Sequence, residues 1–294
     1  MIKDYGFKKT AAIVKVNTQH FLNTYRKYAI RALQTLLTRD TIAAVTEPNH
    51  KKRKIKVMYQ NKKTVGIVPT LTQPFGAGDN RYADFYKFSD TYCVRAAEAG
   101  LLPIGVLPVE NRIRTDVLDL CDAFILQGGY MPQPYHIEVI DHAIRNGKKV
   151  LGICLGCQCI QVYFATKSEA EKRGWSGSLS ESFIRLTEEK YPFLGRVEGH
   201  NPLNYLPRGD KSAAKHPVYL TEGSLIAKLY GRTEVFGVSY HVFWIEHPAP
   251  GITVTGKAAD GVTETIEAGD KILGTQFHPD ADDLLPEVFE WLAM

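Results

Sequence analysis

The chain changes character near residue 64. Before it, Phe21, Leu22, Tyr25, Tyr28, Ala29, Leu33 and Leu36 recur near helical spacing, and Val57-Met58-Tyr59 reads as a short strand. After it, short apolar runs alternate with amphipathic stretches. Residues 65–68, 104–107, 123–126 and 149–153 read as buried strands. Helices are predicted over 82–99, with Gly100 just past its end, and over 136–145, before Gly147. This alternation predicts an α/β fold with a mostly parallel central sheet flanked by helices. In the last third, 216–221, 234–240, 252–257, 263–267 and 271–277 read as strands joined by turns, so a smaller antiparallel extension is expected.

Charge sharpens the boundary. Residues 1–63 hold 15 Lys+Arg against 3 Asp+Glu, while the rest of the chain holds 21 against 29. A basic N-terminal extension (1–63) on an acidic body (64–294) is therefore expected. The run Lys51-Lys52-Arg53-Lys54-Ile55-Lys56 could meet nucleic acid, but no aromatic stacking array or groove-reading motif accompanies it, and a solvated connector is the plainer reading. No run of eighteen apolar residues suggests a membrane span. The start of the chain lacks the apolar core of a secretory signal, and five cysteines without framework spacing fit a reducing compartment. A cytoplasmic protein is expected. The oligomeric state stays open, a homo-oligomer included.

Candidate chemistry begins at Gly152-Ile153-Cys154-Leu155-Gly156-Cys157-Gln158, after the apolar run 149–151. A strand turning sharply into a helix through small residues is a nucleophile elbow. Cys154 would be the nucleophile. The Leu155 amide, at the first turn of the helix, would lack an intrahelical partner and could face an oxyanion. A helix start also favours a thiolate. Gln276-Phe277-His278-Pro279-Asp280 supplies an imidazole base and, two residues on, a carboxylate to fix its tautomer. Upstream, the strand 123–126 ends in Gln127-Gly128-Gly129, whose glycine amides suit an oxyanion hole.

Oxyanion glycines, cysteine and histidine in this order resemble the class I glutamine amidotransferases, with their G-x-C-x-G-x-Q signature and late H-P-E. The branch most resembled is the gamma-glutamyl-gamma-aminobutyrate hydrolase-like peptidases (peptidase C26). Ala96-Ala97-Glu98-Ala99-Gly100, His216-Pro217-Val218-Tyr219-Leu220, Ser239-Tyr240-His241 and Asp260-Gly261 add to the likeness, which covers residues 64 to 294. The resemblance implies a flavodoxin-like sheet and cysteine-dependent hydrolysis of a small gamma-glutamyl amide through a thioester, without metal or organic cofactor. It places Gln158, Ser239, Tyr240 and His241 at the substrate. The chain departs from the branch at three places. Asp280 replaces a glutamate. Tyr130 to Tyr135 is shorter than the usual aspartate-bearing insert. Val238, Val242 and Phe243 replace polar residues, which implies a different leaving group.

Rival readings remain. Cys157 and Cys159 are alternative thiols, and Cys-x-x-Cys at 154 and 157 could be a redox or zinc pair, although no second Cys or His pair has metal spacing. Asp282 and Asp283 could replace Asp280 as orienter. The chain could also be a glutaminase subunit feeding ammonia to a synthase, or a non-catalytic binding protein on the same fold.

Overall fold

The computed structural model describes residues 62–72, 85–201, 214–281 and 285–294. The chain divides into two units, 1–61 and 62–294, and the described residues belong to the second. The helical stretch expected around 21–37, the basic run 51–56 and the strand 57–59 lie outside the described residues.

The elements are β1 (Thr64–Val68), β2 (Thr70–Thr72), β3 (Phe85–Lys87), α1 (Asp90–Glu98), β4 (Leu102–Gly105), α2 (Thr115–Asp119), β5 (Ala123–Leu126), α3 (Pro134–Arg145), β6 (Lys149–Ile153), α4 (Leu155–Lys172) and α5 (Leu179–Glu188). They continue as β7 (Gly195–Arg196), β8 (Lys215–Leu220), α6 (Leu225–Tyr230), β9 (Glu234–Val238), β10 (Phe243–Trp244), β11 (Thr253–Ala258), β12 (Thr263–Ala268), β13 (Ile272–Thr275) and α7 (Glu287–Ala293).

Nine strands form one sheet in the order β4-β1-β5-β6-β13-β12-β11-β8-β9. Every pairing from β4 to β13 is parallel. Every pairing from β13 to β9 is antiparallel. The antiparallel part is thus continuous with the parallel one, and β13 is the seam. Helices cover both faces of the parallel half, so its strands read as unbroken apolar runs. Ile125, Leu151 and Ile153 pack with α1, α6 and α7 on one face. Phe124, Leu126 and Val150 pack with α3, α4 and α5 on the other.

One expected helix is shorter than its sequence pattern. Helix α1 begins at Asp90, and Phe85–Lys87 instead pairs antiparallel with β2. The buried Gln127 side chain holds this segment extended. Its amide donates to the carbonyls of Val68 (2.9 Å) and Lys87 (3.0 Å), and its oxygen accepts the Ser89 N–H (2.8 Å). These long-range hydrogen bonds outweigh local helix propensity. The strand expected over 104–107 pairs with β1 over Leu102–Gly105, leaving Leu107 exposed.

Helix α4 crosses the sheet so closely that two glycines are needed. A side chain on Gly152 would come within 2.5 Å of the Gly156 carbonyl, and one on Gly156 would overlap the Leu126 carbonyl oxygen. Gly156→Ala should therefore cost about 1–3 kcal/mol of stability, read as a lower urea midpoint at unchanged slope. An unchanged midpoint would contradict this close crossing.

Candidate active site

Cys154 stands between β6 and α4 at φ 54°, ψ −106°. This is a left-handed, strained conformation for a residue with a side chain. The flanking glycines do not carry the strain, since neither is among the glycines with positive φ. They serve the helix–strand approach, and Cys154 itself takes the unusual backbone. Its N–H donates to the Thr275 carbonyl on β13 at 2.8 Å, which ties the turn to the next strand. The thiol lies 3.7 Å from the Tyr240 carbonyl oxygen. Cys157 and Cys159 are fully buried, and burial pushes both thiols well up. Of these three, Cys154 alone lines the cavity, whose volume is about 630 Å³. All five cysteines are free thiols.

His278 and Asp280 line the same cavity. Asp280 lies in a short 3-10 turn (Pro279–Ala281) that follows β13. The turn supplies the reach that the shorter aspartate side chain lacks, because His278 Nδ1 sits 3.1 Å from Asp280 Oδ1. A carboxylate only accepts, so Nδ1 carries the proton and Nε2 is left for the thiol side. Burial alone would lower the His278 pKa, but the charges of Asp280 and Cys154 outweigh it and hold the imidazole well above its ordinary value. For Asp280, burial raises and His278 lowers, with a net fall. Thr91 donates to Asp280 Oδ2 at 3.3 Å, and Arg95 Nε donates to its backbone carbonyl at 3.4 Å. Asp282 and Asp283, the alternative orienters, lie outside the described residues.

The glycines after β5 meet this pair from the other side. A side chain on Gly128 would come within 2.9 Å of His278 Cε1, and one on Gly129 would strike Thr70 and Leu155. The Gly128 N–H donates to the Tyr92 hydroxyl at 2.9 Å, so this amide is already engaged. Leu155 is the first residue of α4, where an N–H has no intrahelical acceptor. Tyr92 was not apparent as a site residue from sequence. It is buried on α1, and its hydroxyl also interacts with Asp280, so it links the glycine loop to that carboxylate.

The residues expected at the substrate separate into two groups. Tyr240 is half-exposed on the cavity wall, its ring 6.4 Å from that of His278. Gln158 also lines the cavity, and its amide donates to the Phe243 carbonyl (2.9 Å) and to Gln276 Oε1 (3.2 Å). Ser239 lies apart from these two. It is buried and absent from the cavity lining, and its hydroxyl donates to the His200 carbonyl at 2.8 Å. His241 touches the cavity but places Nε2 3.3 Å from the buried Glu264 carboxylate. Behind this wall, His200 and His216 converge on the same carboxylate. Lys87, on β3, is the one Lys or Arg among the described lining residues, and nothing in its local sequence marked it.

The fold is that of the class I glutamine amidotransferases. The glutaminase domain of Trypanosoma brucei CTPS with bound acivicin superposes with a TM-score of 0.53 at 17% identity, covering 79% of this chain and 93% of that one. The peptidase C26 family model matches residues 133–280, half of the chain, and the chain belongs to that family of glutamine amidotransferase-like hydrolases. It is 31% identical over 184 residues to a CTP synthase of Methanocaldococcus jannaschii, covering 58% of this chain and 32% of that protein. It is 22% identical over 267 residues to the glutamine amidotransferase-like protein RP404 of Rickettsia prowazekii, covering 75% of this chain and 92% of that one. The chain spans about a third of the length of the CTP synthases it matches. Among the described residues, no helix is long and apolar enough to cross a membrane.

The Asp280 charge is the largest influence that raises the His278 pKa. The imidazolium it favours is kept at low pH and lost as pH rises through the raised value. Asp280→Asn should therefore move deprotonation of His278 to lower pH, read from the ring resonances in an NMR titration. An unmoved midpoint would assign the raised value to another charge.

Proposed function

We propose that this protein hydrolyses gamma-glutamyl amides, with Cys154 as nucleophile. The observation that carries the reading is the strained Cys154 turn, opening into the same cavity as the hydrogen-bonded His278–Asp280 pair. The Cys154 thiolate attacks the side-chain carbonyl carbon of the glutamyl group. The charge that develops on oxygen is met by the N–H groups of Gly129 and Leu155. His278, protonated at both nitrogens, gives its Nε2 proton to the departing amine, and the C–N bond breaks to leave a thioester. His278 then takes a proton from water, whose oxygen attacks the thioester, and the thiolate leaves as glutamate is released. Asp280 holds the ring through Nδ1 during both steps.

The cavity lining supports a glutamyl substrate. Lys87 offers a positive charge to the free carboxylate of the glutamyl group, and a charged hydrogen bond of that kind contributes roughly 1.5–3 kcal/mol. Val242 and Phe243, apolar where the resembled branch has polar residues, suit an amine with apolar surface on the far side of the amide. Lys87→Met should raise KM about tenfold or more, in line with that energy, with a smaller change in kcat. A kcat loss without a KM change would remove Lys87 from substrate binding.

A second reading is favoured by one finding: the chain is 31% identical to a CTP synthase of which it covers about a third. On that reading the protein is a glutaminase that hands ammonia to a separate synthase. The two are separated by glutamate release from a panel of gamma-glutamyl amides, glutamine included. Turnover of a conjugate by the protein alone supports the stand-alone hydrolase. Glutaminase activity that appears only with a second protein supports the ammonia donor. In either case Cys154→Ala should reduce turnover by more than about 10⁴-fold while the protein stays folded, and persistent turnover would reject the nucleophile.

A further inference from the structure

Glu264, on β12, is completely buried, and three histidines from three other segments converge on its carboxylate. His200 Nδ1 lies 3.2 Å, His216 Nε2 3.3 Å and His241 Nε2 3.3 Å from Glu264 Oε1. His200 Nδ1 and His241 Nε2 are 3.2 Å apart. The donor atoms of His200, His216 and Glu264 all lie within 4.8 Å of one another.

The outward nitrogens decide where the protons are. His216 Nδ1 faces the Pro217 carbonyl at 3.1 Å, and His241 Nδ1 faces the Phe243 carbonyl at 3.1 Å. His200 Nε2 faces the Asp260 carboxylate at 3.0 Å. Carbonyls and carboxylates only accept, so each of these nitrogens carries a hydrogen. A neutral ring has one N–H, so each ring then turns a lone pair inward, toward a carboxylate that also offers only lone pairs. His216 Nε2 and Glu264 Oε2 are buried without a hydrogen-bond partner. Ser239 Oγ also lies 3.2 Å from His200 Nδ1, and a positive charge at the centre, from a metal ion or from the extra proton of an imidazolium, would satisfy the facing lone pairs. Imidazoles whose second nitrogen is held by a carbonyl or carboxylate are the usual form of metal-bound histidine.

We propose that His200, His216, His241 and Glu264 form a closed zinc site. Bonds of about 2.0–2.2 Å to a tetrahedral zinc put neighbouring donors roughly 3.3–3.5 Å apart, close to the three separations from Glu264 Oε1 and to the one between His200 and His241. Three imidazoles and a carboxylate suit zinc over magnesium or calcium, which take oxygen ligands. With Asp260 beside His200, the two carboxylates offset the two charges of the ion. Four protein donors leave no open position, so the ion is structural. It fastens β8, β12, His200 and the turn after β9 to one another. That turn carries Tyr240, so the ion stiffens the cavity wall next to Cys154. The site stands on its own donors, and its existence does not depend on the proposed reaction.

Metal analysis of the full chain after dialysis in metal-free buffer should find about one zinc per chain. Stripping with a strong chelator and adding Zn2+ should restore one equivalent and raise the melting temperature. Co2+ in its place should give the visible absorption of a tetrahedral site. Cys154→Ala should leave the stoichiometry unchanged, which separates this site from adventitious thiol binding. Glu264→Gln should abolish stoichiometric binding. Should that buried variant not fold, Asp260→Asn decides: its side chain is 55% exposed, and losing the outer carboxylate should weaken zinc about 10–100-fold. Folded wild-type protein that neither retains zinc nor takes up Zn2+ or Co2+ would overturn the proposal, and so would unchanged affinity in Asp260→Asn.

Discussion

Cys154 holds a backbone conformation that costs on the order of 1–3 kcal/mol, and much of the surrounding structure serves to keep it there. Its amide is bonded to β13, and its carbonyl accepts the Gln158 N–H of the helix that follows. The two glycines let α4 pass against β6 and the end of β5 at backbone distance. Without that close crossing the helix would be pushed outward and the turn could relax. The strain is therefore maintained by packing, and the same packing puts the Leu155 side chain beside Gly129.

The cavity lies where the parallel strands end. Thr70 follows β1, Gln127 to Gly129 follow β5, Cys154 follows β6, and His278 follows β13. In open α/β sheets, ligands bind outside the carboxyl ends of the strands. This chain meets that rule through a long detour. Strand β13 is the last in sequence yet pairs parallel with β6, with Gly274 opposite Gly152. The intervening antiparallel strands are therefore the means by which His278 returns to Cys154. They also form the wall that carries Tyr240.

Two polar networks border the cavity. One joins Tyr92, Asp280 and the Gly128 amide behind Cys154 and His278. The other gathers histidines around Glu264. Three ring nitrogens stand 3.2–3.3 Å from its Oε1. A buried charge is retained only when its partners are fixed. Both networks therefore constrain the loops they join more tightly than apolar contacts would.

Much of the site was legible in the sequence, because its parts lie in short contiguous stretches. Gly152 to Gln158 determines the strand, the turn and the helix start, and His278-Pro279-Asp280 determines the ring and its carboxylate. The apolar runs at 65–68, 123–126 and 149–153 likewise marked the parallel half of the sheet. Tertiary structure alone decided what depends on distant partners. Gln127 kept residues 85–87 out of a helix that their own pattern favoured. Register along β8 and β9 turned Ser239 away from the cavity and Lys87 came to line it from another element. The Glu264 cluster draws on positions 200, 216, 241 and 264, whose spacing resembles no metal motif. Nothing along the chain links the four, and their common role exists only once the sheet brings the side chains within a few ångströms.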